Sequence, residues 1–154
     1  MGNENTLSVY VDGSVDATRM AMAYAYVACS NTLYISQNYK CVEGNNAAHA
    51  ETLAIGLAAK DLLENENLTL NKDITVIFNV DCVSALTFVK DKVNDNKPFK
   101  SKKEIKEAVE YVRRLNAVVN VKFVKVTAHK FIHNTNKYVD ALAKYACRSG
   151  ECMQ

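Results

Sequence analysis

An ordered series of strand and helix patterns, opening with three β-prone runs, constrains the fold more than any other feature of this sequence. Leu7, Val9 and Val11 alternate with polar residues, which is the periodicity of a half-buried strand. This strand is expected to end at Asp12, because Asp12-Gly13-Ser14 supplies turn chemistry. Residues 20–29 and 32–41 are rich in Tyr and Val and are joined by Ser30-Asn31. The opening is therefore predicted to be a three-stranded antiparallel meander.

The rest of the chain alternates between helix and strand patterns. Residues 47–63 predict a helix that is apolar almost all round and therefore central. Residues 74–80 predict a strand covered on both faces, and apolar residues recur at helical spacing over residues 82–93. Ser101-x-x-Glu104 resembles a capping box that opens a third helix, and residues 119–126 predict a last strand. A polar loop over residues 127–136 leads to a final helix, which gives the order β-β-β-α-β-α-α-β-α in a single α/β domain over residues 1–154.

Composition narrows the class of protein. A chain of 154 residues that is 49% apolar can bury a sizeable core. It has no apolar run of roughly 18 residues and no signal-peptide pattern at its start, so we expect a soluble, cytoplasmic protein with no membrane association. The five cysteines are scattered and never form Cys-x-x-Cys, which favours reduced, mostly buried thiols over a disulfide framework or a zinc cluster.

Basic charge is concentrated in one third of the chain. The formal net charge is only +2, but the stretch from Lys90 to Lys125 holds 11 Lys and Arg against 5 Asp and Glu. Such a stretch is by itself more often a solvated helix face than a nucleic-acid site. It gains weight only beside other features that indicate nucleic-acid chemistry.

Four carboxylates occupy positions where the chemistry of a mixed α/β sheet usually gathers. Asp12 and Asp81 follow the first and fourth predicted strands, Glu51 lies near the start of the central helix, and Asp140 lies in the first turns of the last helix. If the first and fourth strands are neighbours, these side chains converge. Clustered carboxylates repel one another unless cations neutralise them, and oxygen ligands without His or Cys suit magnesium or manganese. Two such ions are the usual device for in-line attack on a phosphodiester.

Each carboxylate also has an ordinary structural explanation. Asp12 could belong to a turn, and Asp81 could be the N-cap of the helix that follows it. Glu51 and Asp140 are favoured near helix starts by the helix dipole, and His129 and His133 could be surface residues of a polar loop. The functional interpretation depends on the four carboxylates occurring together at matching places in the topology.

The motifs that carry these residues resemble those of the type I ribonuclease H family, and they occur in the same order along the chain. Tyr10-Val11-Asp12-Gly13-Ser14 is similar to the first-strand aspartate motif, and Ala50-Glu51-Thr52-Leu53-Ala54 to the central-helix glutamate. Asn79-Val80-Asp81-Cys82 is similar to the Thr-Asp-Ser segment. Residues 124–129, which end in His129, and residues 136–143, which contain Asp140, resemble the closing histidine and aspartate. The resemblance runs from about Leu7 to Ala146.

The resemblance implies a ribonuclease H-like fold, in which a five-stranded mixed sheet is flanked by helices. It also implies an endonuclease that cuts the RNA strand of RNA–DNA hybrids and leaves 5′-phosphate and 3′-hydroxyl ends. Two magnesium ions, with manganese as a substitute, would bind Asp12, Glu51, Asp81 and Asp140. His129 would assist proton movement or product release, with His133 as a rival for that role.

Substrate contacts are expected at three places. Gly13 and Ser14 lie beside the first aspartate, and Asn45 and Asn46 lie near where the family places amides that read the minor groove of the hybrid. The family's Trp-bearing basic handle is missing, since the chain has no Trp. Four lysines could replace it by contacting phosphates of the DNA strand: Lys97, Lys100, Lys102 and Lys103.

Two other functions stay open, and we expect a monomer in each case. One is a nucleic-acid-binding module on the same scaffold that no longer cuts, although its usual signature would be the loss of a carboxylate. The other is a metal-dependent nuclease with a different substrate, because one fold serves several nuclease activities.

Overall fold

Five strands form one mixed sheet in the computed structural model, which describes residues 5–30 and 33–126. The strands are β1 (Thr6–Asp16), β2 (Ala21–Ser30), β3 (Leu33–Glu43), β4 (Thr75–Val80) and β5 (Asn120–Lys125). Their order in the sheet is β3-β2-β1-β4-β5. β1 and β2 are antiparallel, as are β2 and β3, whereas β4 runs parallel to both β1 and β5. The predicted meander, the mixed sheet and the pairing of the first and fourth strands are confirmed.

Three helices lie within the described residues: α1 (Ala47–Glu64), α2 (Val83–Asp95) and α3 (Lys103–Val118). All ten residues from Ala50 to Ala59 in α1 are buried, which confirms the prediction of a central helix. α1 packs on β1 and β2 and also against α3. The contact with α3 is close, because a Cβ on Gly56 would lie 2.4 Å from Ala108 Cβ. The first eight predicted elements are therefore present in the predicted order, and the predicted loop over residues 127–136 and the last helix lie outside the described residues.

A buried polar network ties the antiparallel edge of the sheet to α1. The Tyr26 hydroxyl is fully buried and donates to Asp61 Oδ2 at 2.7 Å. Asn38 Nδ2 donates to the same oxygen at 3.0 Å, and the Tyr26 and Ser36 hydroxyls lie 2.7 Å apart. Because buried polar groups are costly when unpaired, this network fixes how β2 and β3 sit on the helix.

The predicted end of the first strand is wrong. β1 does not turn at Gly13-Ser14 but continues to Asp16, because Ser14, Val15 and Asp16 pair with Ala23, Met22 and Ala21 of β2. The turn follows over residues 17–20 and includes Met20 at a φ of 54°. Antiparallel pairing with β2 therefore outweighs the local turn preference of Asp-Gly-Ser.

Two smaller predictions also differ from the structure. The N-cap of α3 is Lys102 rather than Ser101, since the Lys102 carbonyl accepts the first helical bonds from Ile105 and Lys106. β4 is not covered equally on both faces: Val76, Phe78 and Val80 are fully buried, whereas the alternate residues are half-buried. The helical cover within the described residues thus lies mainly over one face of this strand.

The described residues also bear on membrane association and on thiol state. No helix among residues 5–30 and 33–126 is long and apolar enough to cross a bilayer. The three cysteines of these ranges form no disulfide with one another, and only Cys41 is buried, while Cys29 and Cys82 are partly exposed.

Candidate active site

Asp12 and Asp81 come together because of the register between β1 and β4. The last residue pair of this parallel ladder is Tyr10 with Asn79. Asp12 lies two residues beyond that pair on β1, and Asp81 lies two residues beyond it, immediately after β4. β1 continues beside β2, whereas the chain leaves the sheet after Val80 to enter α2. The two aspartates therefore stand at the same level of the sheet, where it opens at the carboxyl end of β4.

Gly13 allows the start of α1 to approach β1 closely. A Cβ at this position would lie 2.6 Å from Ala50 Cβ and 3.3 Å from the Glu51 nitrogen, so a larger residue cannot be placed without moving the helix. The Gly13 N–H donates to Asp12 Oδ1 at 2.9 Å. Gly13 thus has a packing role beside the predicted substrate contact, and it brings the glutamate of α1 next to the first aspartate.

Glu51 is a carboxyl group buried in the wall of the site. Its side chain is 4% exposed, and Oε1 has no hydrogen-bond partner among the residues that the structure describes. The pKa of Glu51 is raised to about 7, mainly by burial and also by the negative charge of Asp81. Interactions with the Asp12 side chain and with the backbone of Gly13 and Cys82 lower it in part. Glu51 therefore interacts with both aspartates.

Asp81 is not a helix cap in this structure. The N-cap of α2 is Cys82, which makes no side-chain capping bond. Asp81 Oδ1 instead lies 3.5 Å from Lys125 Nζ, and both side chains are nearly half exposed. Lys125 is the β5 residue paired with Val80, so the parallel register of β4 and β5 places this cation beside the carboxylate. Lys125 was not among the predicted site residues, although its place at the end of the last predicted strand was the signal that could have found it.

The oxygen donors fit a hard divalent cation such as magnesium or manganese. All three described ligand candidates are carboxylates, and the unpaired, buried Oε1 of Glu51 is the kind of atom that a cation would satisfy. Within residues 5–30 and 33–126, however, no three His, Cys, Asp or Glu side chains form a compact ligand group. Asp140, the fourth predicted ligand, lies outside the described residues, as do His129 and His133.

The predicted substrate-binding residues lie at two distances from the carboxylates. Asn46 is the N-cap of α1, and its side-chain oxygen accepts the His49 N–H at 3.0 Å. Asn45 is exposed beside it, and Ser14 continues β1 two residues after Asp12. The four exposed lysines follow the far end of α2: Lys97, Lys100, Lys102 and Lys103. Because α2 has 13 residues and is about 20 Å long, Lys97 lies near the end of the helix that is far from Asp81, whereas Lys103 is the first residue of α3.

Comparisons with known proteins agree with this geometry. The sequence matches the RNase H family over residues 4–148. The fold is similar to that of RNase H1 from the halophilic archaeon Halobacterium salinarum, at 15% identity and a TM-score of 0.65 over 94% of this chain and 99% of that one. It is also similar to that of LC11-RNase H1, isolated from compost by a metagenomic approach, at 18% identity and a TM-score of 0.66 over 94% and 97% of the two chains. No curated protein sequence matches the chain. The chain belongs to the RNase H family of hydrolytic nucleases.

Proposed function

We propose that this protein is an endoribonuclease that hydrolyses the RNA strand of RNA–DNA hybrids and leaves 5′-phosphate and 3′-hydroxyl ends. The observation that carries the proposal is the buried carboxyl group of Glu51, which has an unpaired oxygen and interacts with Asp12 and Asp81 at the open end of β4. In a chain of the RNase H family, such a group of acidic residues supports phosphodiester hydrolysis assisted by divalent cations.

Asp12, Glu51, Asp81 and Asp140 would hold two magnesium ions, with manganese as a substitute. Bound ions of this kind supply the positive charge that activates an attacking water and stabilises a leaving oxygen. The chain's own part is to fix the carboxylates in place. Gly13 sets the distance between β1 and α1, and the β1–β4 register sets the level of the two aspartates. Catalysis would then depend on positioning and electrostatics rather than on a covalent nucleophile.

The substrate would be distinguished by contacts on both sides of the carboxylates. Asn45 and Asn46 are exposed just before Glu51 in the sequence, at the start of α1. Their amides are suited to reading a minor groove that presents 2′-hydroxyls. The four lysines that follow α2 would bind phosphates of the DNA strand. His129 would assist proton transfer as an accessory group, with an effect on the order of 10²-fold.

A binding module that no longer cuts is the alternative of a different class. It is disfavoured because the three candidate metal ligands of the described region, Asp12, Glu51 and Asp81, are all present, and none of them serves as a helix cap. A nuclease with another substrate is the remaining alternative. It would use the same carboxylates, so only the choice of nucleic acid separates it from the proposal.

One cleavage assay with four labelled substrates tests the proposal. The substrates are an RNA–DNA hybrid, duplex DNA, duplex RNA and single-stranded RNA, each incubated with magnesium and with EDTA. We expect cleavage of the RNA strand of the hybrid in magnesium only. Full activity in EDTA would refute the dependence on cations, and preferential cleavage of another substrate would refute the hybrid specificity.

A further inference from the structure

The connection between α2 and α3 carries a concentrated positive charge. Residues 96–103, called the basic segment here, contain four lysines and no acidic residue. The four lysine side chains are exposed, whereas Phe99 is only partly exposed. The segment begins at Asn96, the C-cap of α2, which has left-handed backbone angles (φ 51°, ψ 37°). A short segment of this kind has no regular backbone hydrogen bonding of its own, so other residues must determine its shape.

Arg113 of α3 holds the start of the basic segment by its backbone. Its Nε and Nη2 atoms donate to the Lys92 carbonyl at 3.1 and 2.8 Å, and Nη2 also donates to the Lys97 carbonyl at 2.7 Å. Nη2 lies 3.8 Å from Asp95 Oδ1, and the side chain is only 15% exposed. The rigid fork of a guanidinium suits two acceptors at once, and a cation at the C-terminus of α2 also interacts favourably with the helix dipole. Arg113 thus links the end of α2 and the first lysine of the segment to α3.

Phe99 anchors the middle of the segment in the same place. Its ring centroid lies 5.5 Å from Arg113 Cζ and 5.3 Å from Lys92 Nζ. The ring packs edge-on against Phe88 of α2, with centroids 5.8 Å apart and an interplanar angle of 80°. Edge-to-face aromatic pairs and cation–π contacts are both favourable arrangements of an aromatic ring. The segment is therefore fixed at two points, Lys97 and Phe99, while the side chains of Lys97 and of the three lysines that follow Phe99 stay exposed.

We propose that Arg113 is a positioning residue that presets the basic segment for binding phosphates of the nucleic-acid substrate. The inference rests on the proposed function and deepens it, because it names the residue that makes the lysines an organised site. Ordering a flexible segment costs backbone conformational entropy, so a segment that is already ordered binds more tightly with the same lysines. Arg113 itself is too buried to serve as a main phosphate ligand.

The number of phosphate contacts gives a readout that a purely structural role would not change. Each phosphate contact contributes about 0.7–0.9 to the slope of log Kd against log salt concentration. An arginine that only stabilises the fold would change the melting temperature but leave this slope unaltered in the folded protein. An arginine that organises the lysines would change the slope, because a disordered segment makes fewer simultaneous contacts.

The experiment measures equilibrium binding to a labelled RNA–DNA hybrid in EDTA between 50 and 200 mM salt, and kcat and KM in magnesium. We expect Arg113→Met to lose one or two contacts, so that the increase in Kd over this salt range becomes about threefold smaller per lost contact. KM should rise with kcat nearly unchanged. Arg113→Lys should behave like Arg113→Met, because an ammonium keeps the charge but not the fork.

Arg114→Met is the matched control. Arg114 is the next residue of α3, and its side chain is 62% exposed. It pairs with Glu110 at 3.8 Å and lies over the Tyr111 ring at 5.5 Å. The control removes the same charge without touching the segment, so its salt slope should equal that of the wild type. Phe99→Ala provides a second way to release the segment and should flatten the slope even if Arg113→Met does not fold.

A background variant shows whether Arg113 acts through the lysines. In this variant four residues are changed to Ala: Lys97, Lys100, Lys102 and Lys103. In that background, Arg113→Met should cause no further change of slope; a further change would overturn the inference. Wild-type slopes in folded Arg113→Met and in Phe99→Ala would also overturn it. Failure of the proposed function would be seen separately, as a wild-type protein that does not cleave the hybrid in magnesium.

Discussion

Glu51 is the residue whose environment departs furthest from that of an ordinary carboxylate. It is buried at the start of α1, it keeps an oxygen without a partner in the described part of the chain, and it interacts with two further carboxylates. Burying an ionised carboxyl group is unfavourable unless a cation or hydrogen bonds compensate it, so the group becomes protonated instead. An arrangement that destabilises its own ionised form is expected of a site that binds cations.

The raised pKa of Glu51 predicts how the metal-free protein responds to pH. Because the folded-state pKa is about 7 and the ordinary value is 4.5, the folded protein holds this proton more tightly than the unfolded chain does. The stabilisation is complete below about pH 4.5 and is lost as the pH rises through 7. In EDTA, the wild type should therefore lose stability across this window relative to Glu51→Gln, which cannot ionise. Urea unfolding of both proteins at several pH values measures this, and parallel curves would contradict it.

The contact between Lys125 and Asp81 predicts that the Lys125 ammonium competes with a metal ion for the Asp81 carboxylate. The ammonium lies 3.5 Å from the carboxylate, where it opposes a divalent ion by charge repulsion. Exposed ion pairs contribute up to about 1 kcal/mol, so Lys125→Met should tighten magnesium binding by up to about fivefold. Isothermal titration calorimetry measures the affinity. Lys122→Met, which changes an exposed lysine of the same strand, is the control, and an equal change in both variants would show that the effect is not local.

At the scale of elements, the helices and strands were predictable because their patterns are long and regular. Asp81 directly follows β4, as predicted, whereas Asp12 lies within β1 rather than at its end. What could not be predicted depends on tertiary pairing. The extension of β1 past Gly13 follows from the β2 register, the Lys125 contact follows from the β4–β5 register, and the fork of Arg113 joins residues up to 21 positions apart.

The packing of α1 on α3 predicts the effect of enlarging Gly56. A Cβ there would lie 2.4 Å from Ala108 Cβ and 2.6 Å from Ala108 Cα, so α3 as a whole would have to move. Overpacking of this kind costs about 1–3 kcal/mol, whereas exchanging Gly for Ala in a helix contributes about 1 kcal/mol in the opposite direction. Gly56→Ala should therefore lower the free energy of unfolding, as measured in urea, and leave cleavage per folded molecule nearly unchanged. A more stable variant would contradict the close packing.

At the scale of the whole molecule, the acidic site and the start of the basic segment are set apart along α2. The carboxylates lie beside the start of α2, and the basic segment begins at the other end of this helix, about 20 Å away. This separation suits a long, charged substrate that crosses both places. One place would hold the cations and the reacting phosphate, and the other would hold the rest of the backbone.

We propose that Asp81 is a metal ligand needed for cleavage, and the substitution Asp81→Asn tests this role most directly. Asn keeps the volume and one oxygen but removes the charge that raises the pKa of Glu51. The lost repulsion should outweigh or balance the exposed ion pair with Lys125, so the metal-free variant should melt at the same or a higher temperature. It should also gain less stability from magnesium than the wild type gains.

The decisive measurement is cleavage of labelled RNA–DNA hybrid by Asp81→Asn in magnesium, read beside its melting temperature with and without the ion. Asp91→Asn, which removes the same charge from an exposed position of α2, is the matched control and should cleave normally. We expect Asp81→Asn to fold and to bind the hybrid but not to cleave it. Cleavage at a near-normal rate by this variant would contradict the assignment of the site.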